Sequence, residues 1–79
     1  MDIEIKNFGD NKQCCSIDEL KSSLMDYKGK CVSIVSKSDR GIVKIYFVDV
    51  NKDGSIFNSY RPNVGAPFDF NQLNDPVPD

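Results

Sequence analysis

The chain has no histidine, no apolar run long enough to cross a bilayer and no excess of positive charge. Each absence removes a class of function. Without histidine, a cysteine or serine nucleophile lacks its usual general base. A bilayer-spanning helix needs about 18 consecutive apolar residues. The opening order Met1-Asp2-Ile3-Glu4-Ile5-Lys6 also lacks the basic-then-apolar progression of a signal peptide. A cytoplasmic protein with no membrane partner is expected.

Residues 1–60 carry nine Lys or Arg against nine Asp or Glu, so the body is neutral, and residues 61–79 set Arg61 against Asp69, Asp75 and Asp79. The net charge of −2 therefore lies in the C-terminal segment. With no basic face, counterion release has little to act on, and no direct nucleic-acid binding is expected. The three cysteines Cys14, Cys15 and Cys31 are odd in number, and two are adjacent. This fits neither a disulfide scaffold nor the paired ligand spacing of a structural zinc site. No glycine-rich phosphate loop is present either.

What remains is a chain of 79 residues with enough aromatic and β-branched content to fold. Its length fits a single domain, 1–79, burying about 60% of the surface its unfolded form exposes. Ile3 and Ile5 alternate with Glu4 and Lys6 as a first strand, and Asn7 to Gln13 reads as a polar loop around Gly9. Ser16 with Glu19 forms the pattern of a capping box, with Cys15 and Leu20 at the positions of a hydrophobic staple. Ile17, Leu20, Leu24 and Tyr27 follow at helical spacing, and Lys28-Gly29 supplies a C-terminal stop. One amphipathic helix over 17–28 is predicted.

Cys31 to Lys37 reads as a second strand, closed by the turn Ser38-Asp39-Arg40-Gly41. A third runs from Ile42 to about Asp49, with Val43, Ile45 and Phe47 on one face and Lys44, Tyr46 and Val48 on the other. A helix laid on the Val43, Ile45 and Phe47 face leaves Tyr46 and Val48, with Cys31 or Val35, less covered than their apolarity favours. The fourth strand, Ser55 to Tyr60, follows the turn Asn51-Lys52-Asp53-Gly54. The expected fold is α+β: an antiparallel three- to four-stranded sheet in β-α-β-β-β order with one helix on one face. Pro62, Pro67, Pro76 and Pro78 then punctuate a C-terminal arm, 61–79, expected to be partly ordered with frayed last residues.

Asp49, Asn51, Asp53, Gly54 and Ile56 match the first half of a calcium loop. Tyr60 stands where the closing bidentate glutamate belongs, and Phe57 occupies another ligand position. The same residues describe a type I turn followed by a left-handed glycine, a common hairpin connection. The turn is the expected reading, and weak calcium binding through Asp49, Asn51 and Asp53 is the alternative. Cys14 and Cys15 precede a helix, where unpaired amides lower a thiol pKa, yet Cys15 reads more simply as a staple residue and Cys31 as a small core residue. Asp18 and Glu19 are accounted for by the first helical turn.

No catalytic residue is assigned, so a non-enzymatic protein that binds another protein is expected. The form favoured is an inhibitor of anti-defence, anti-CRISPR-like or immunity type, or an accessory subunit. A nucleic-acid-handling enzyme is one expected partner, engaged by acids of the arm, and a homodimer is the other form of association considered. Candidate contact residues are Tyr46, Tyr60, Arg61, Phe68, Asp69, Phe70 and Asp75, because aromatic side chains and arginine concentrate binding energy at interfaces. Phe68 and Phe70 have a competing use in the core, since so short a chain needs its large apolar side chains there.

Overall fold

The computed structural model describes residues 2–73. Among these residues five strands form one antiparallel sheet: β1 (Asp2–Asn7), β2 (Asp10–Cys14), β3 (Lys30–Lys37), β4 (Val43–Val50) and β5 (Ile56–Asn58), in the spatial order β2-β1-β3-β4-β5. One α-helix among the described residues, α1 (Ile17–Leu24), extends through a 3-10 turn over Met25–Tyr27, and a second 3-10 turn covers Phe70–Leu73. The α+β class, the antiparallel sheet and the lone helix agree with the sequence reading. The strand count differs by one or two.

The additional strand is β2, which occupies most of the predicted polar loop. It pairs with β1 from Ile3 opposite Cys14 to Asn7 opposite Asp10. The connection is Phe8-Gly9, with φ of 47° and 88°, as a two-residue hairpin of the primed type requires. Phe8 is an unusual residue for that conformation, and it is fully exposed. β2 is polar because it is an edge strand of which only Cys14 is buried. Its low apolar content is what hides it in the sequence.

At the start of α1 the Glu19 N–H donates to Ser16 Oγ at 3.1 Å, and Glu19 Oε2 accepts the N–H of Cys15 at 3.1 Å. The Ser16 cap forms as expected, with Glu19 returning to the N–H of Cys15 rather than that of Ser16, but the Cys15 staple does not form. Cys15 is exposed, and the buried thiol is Cys14, delivered by the end of β2. The helical run tightens to 3-10 after Leu24, keeping Tyr27 buried, and ends at Gly29 with φ 80°. The Gly29 N–H donates to the carbonyl of Val50, so the exit of the helix is fixed to the far end of β4.

The core lies between α1 and one face of the sheet. Ile3 and Ile5 of β1, Val32 and Ile34 of β3, and Val48 and Val50 of β4 meet Leu20, Leu24 and Tyr27. The register sets Ile34 against Ile5 and Tyr46, and Val32 against Val48. The helix takes the face bearing Tyr46, Val48 and Val50, and Val43, Ile45 and Phe47 point away. Helical periodicity cannot decide which side of a strand a helix takes. Here Ile5 and Ile34, in register on the same side as Val48, make the more apolar layer. Cys31 and Val35 share the outer face, so Cys31 is an exposed residue rather than the core residue expected.

The C-terminal arm docks. Asn58 N–H donates to the carbonyl of Ala66 and Phe68 N–H to that of Ile56, while Phe57 and Pro67 form a bridge. Phe68 and Leu73 are buried with the core. The Phe68 ring meets Tyr46 edge-on at 5.5 Å and Phe70 at 5.0 Å. The expectation of frayed final residues falls on 74–79, outside the described residues.

Candidate docking surface

On the helix-free face, β4 presents Val43, Ile45, Phe47 and Asp49, and β3 presents Cys31, Ser33, Val35 and Lys37 beside them. Val43, Ile45 and Phe47 are 52%, 56% and 43% exposed, and Tyr60 is 67% exposed. The Tyr60 ring leans on Phe47 with centroids 5.4 Å apart. Val35 and Phe57 are half-buried on the same side. The result is a contiguous apolar row, whereas single exposed apolar residues are ordinary in a soluble protein.

β4 is only partly covered at its outer edge. β5 pairs with Val48, Asp49 and Val50 and ends at Asn58. Ser59 N–H donates to the Phe47 carbonyl at 2.9 Å, and the chain then turns away to return along the other side of β5 through Ala66 and Phe68. Antiparallel strands direct successive backbone groups to alternate sides. The Val50 carbonyl meets Gly29 on the β3 side and the Phe47 carbonyl meets Ser59 on the β5 side, so the N–H and C=O groups of Val43 and Ile45 point toward the β5 side. No backbone hydrogen bond among the described residues meets them there.

The acidic loop is a hairpin turn. The Gly54 N–H donates to the Asn51 carbonyl at 2.9 Å, the Asn51 N–H to the Ser55 carbonyl at 2.8 Å, and Gly54 sits at φ 91°. Asp53 Oδ1 accepts both the N–H and the hydroxyl of Ser55, at 2.9 and 2.5 Å. These bonds, that of the Ser55 side chain foremost, hold the Asp53 carboxyl below its ordinary pKa, and Lys28 adds a small push in the same direction. Asn51 directs its amide nitrogen to Ser55 Oγ at 3.3 Å, and Asp49 lies on β4 opposite Phe57 and Cys31. The three oxygen-bearing side chains thus belong to strand and turn geometry. Among the described residues, no group of three or more His, Cys, Asp or Glu side chains is placed to hold a metal ion.

The other candidate residues separate into core and rim. Tyr46 is half-buried on the helix side and Phe68 is fully in the core, so neither lies on the exposed row. Phe70 is half-buried beneath Lys21, whose Nζ stands 5.2 Å from the ring centroid. Arg61 and Asp69 are exposed, and Asp69 Oδ1 accepts the N–H of Asn71 at 3.0 Å. Asp75 lies outside the described residues. Among the candidates that lie in the described residues, Tyr60 alone joins the apolar row. The row itself shows in the sequence as the alternation Val43, Ile45, Phe47, a signal that marks one face as apolar without saying whether it is covered.

Cys31 Sγ lies 3.6 Å from Ser59 Oγ at the border of this face. Cys15 borders an open concavity of about 540 Å³ between the start of α1 and the arm, lined also by Ile3, Ile17, Lys21 and Phe70. Neither thiol has a histidine to act as its base. No helix among the described residues is long and apolar enough to cross a membrane. Comparison with protein-family models, with curated proteins and with solved structures found no match.

Proposed function

We propose that this chain is a small non-enzymatic protein-binding module that acts by docking its helix-free sheet face on a partner protein. The observation that carries the reading is the exposed row of Val43, Ile45, Phe47 and Tyr60. A sheet with a helix on one side and an apolar row on the other has driving force left for association. Tyr60 beside Phe47 supplies the aromatic cluster that anchors interfaces. An inhibitor of anti-defence or immunity type, or an accessory subunit, acting in the cytoplasm, is the role that suits such a module. The surface is apolar at its centre rather than acidic, which favours recognition by shape over imitation of a nucleic acid.

The test places a photo-crosslinking amino acid at position 47 and, separately, at position 22 on the exposed side of α1, with the chain expressed in its native host. A discrete adduct formed from position 47 and absent from position 22 is expected. Equal labelling from both positions, or none from position 47, overturns the reading.

A further inference from the structure

We propose that the partner supplies an extended segment that adds to the sheet as a strand along the open edge of β4, beside Val43 and Ile45. This rests on the protein-binding reading and names the way the partner is held. An apolar face alone accepts many shapes. The Val43 and Ile45 edge is more restrictive, because its N–H and C=O groups have fixed direction and spacing, with no bonding partner among the described residues. Such a row is a template for one conformation, the β-strand. The turn at Ser38–Gly41, closed by the Gly41 N–H on the Ser38 carbonyl, bounds the slot at one end. Ser59 on the Phe47 carbonyl bounds it at the other.

The flanking side chains define the occupant's chemistry. On the helix-free side Val43, Ile45 and Phe47 are exposed, so the added strand carries apolar residues at alternate positions there. On the opposite side the edge carries Lys44, half-buried, and no carboxylate among the described residues forms an ion pair with it. Lys44 selects an acidic residue beside it. The same lysine argues against a second copy of this chain. A twofold axis at Lys44 sets the two Lys44 side chains opposite each other, a destabilising like-charge pair. An axis at Ile45 instead pairs Val43 with Phe47 of the other copy, and the Phe47 carbonyl is already taken by Ser59. A short segment of a different protein, with apolar alternation and one Asp or Glu, meets neither obstacle when it pairs with Val43 and Ile45 and stops short of Phe47.

The experiment selects a displayed library of random linear heptapeptides against the full chain. Recovered peptides are then titrated against wild type, Ile45→Pro, Val43→Pro and Lys44→Glu. Proline removes an N–H that β3 does not use, and an edge strand tolerates it. Val43→Pro, at the first position of β4, is the milder companion should Ile45→Pro disturb the fold. Expected are peptides with alternating apolar residues and an acid, weakened about tenfold or more by either proline and by Lys44→Glu. In wild type, hydrogen exchange at the Val43 and Ile45 amides should slow when peptide is added. Failure to recover a binder, equal affinity for the proline variants, or unchanged exchange at both amides overturns the proposal, as does a wild-type dimer that either proline abolishes. The crosslinking result at position 47 is independent of these outcomes, so docking by the face can survive the loss of strand addition.

Discussion

The Tyr60 ring lies against Phe47 with centroids 5.4 Å apart and planes inclined by 51°, on the side of the sheet that no helix covers. The contact fastens the chain leaving β5 to the middle of β4. It also keeps two aromatic rings at the surface without making either one part of the core.

Replacement on the two faces should therefore have unequal cost. Ile34 is fully buried in the central strand, and Ile34→Ala should lower stability by about 2–5 kcal/mol. Phe47→Ser removes a side chain that is 43% exposed, and about 1 kcal/mol or less is expected. Urea denaturation of the two variants measures both. A larger loss for Phe47→Ser than for Ile34→Ala would reverse the assignment of faces.

The hairpin at Phe8 offers the opposite effect. Phe8 holds φ of 47° with its ring in solvent, so it bears the left-handed conformation without gaining burial. Phe8→Asn should stabilise the protein by roughly 0.5–1 kcal/mol, since asparagine adopts that region more easily. Thermal melts compare the pair, and an unchanged or lowered midpoint would refute the account.

Gly54 combines φ of 91° with a tight neighbour: a Cβ there would sit 3.3 Å from Met25 Sδ. Gly54→Ala should cost about 1–2 kcal/mol, mostly from the backbone conformation, with some relief from the flexibility of methionine. Chemical denaturation decides it. A neutral substitution would mean that position 54 does not hold the left-handed conformation that penalises a side chain.

Asp53 links the same turn to pH. Its pKa is lowered in the fold, so its stabilising bonds to Ser55 are present above the ordinary carboxylate value of 3.8 and fade as pH falls through the lowered value. In Ser55→Ala the Asp53 pKa should rise toward that ordinary value, as read by carboxyl NMR titration. An unmoved titration would show that the hydroxyl does not set it.

Thiol chemistry should report the cysteine environments directly. Cys15 and Cys31 are exposed and Cys14 is buried, so two thiols should react with a soluble disulfide reagent in the folded protein and the third only in denaturant. Prompt reaction of all three would contradict the place of Cys14 in the core.

Most of the frame was legible in the sequence because local rules decide it. Ser16 and Glu19 announced the helix start, Gly29 its end, and Asn51 to Gly54 the hairpin turn. Two features escaped. β2 is an edge strand of Asp, Asn, Lys and Gln, so its pairing comes from β1 rather than from apolar alternation. The side taken by the helix depended on which strand faces come into register, a relation between residues far apart in the chain. Of the candidate contact residues, Tyr60 was recognisable by type and position. The rest of the row was visible as a pattern whose exposure only the assembled sheet revealed.

Phe68 and Leu73 close the core from the arm, which bears on how the chain is made. Tyr46 leaves the ribosome before the ring that packs against it, and at about 5–20 residues per second the interval amounts to roughly one to four seconds. During that time the nascent sheet has apolar groups uncovered on both sides. A chain stopped at Tyr60 stays in that condition permanently, so such a truncation reports on exposure to chaperones and proteases rather than on recognition of a partner.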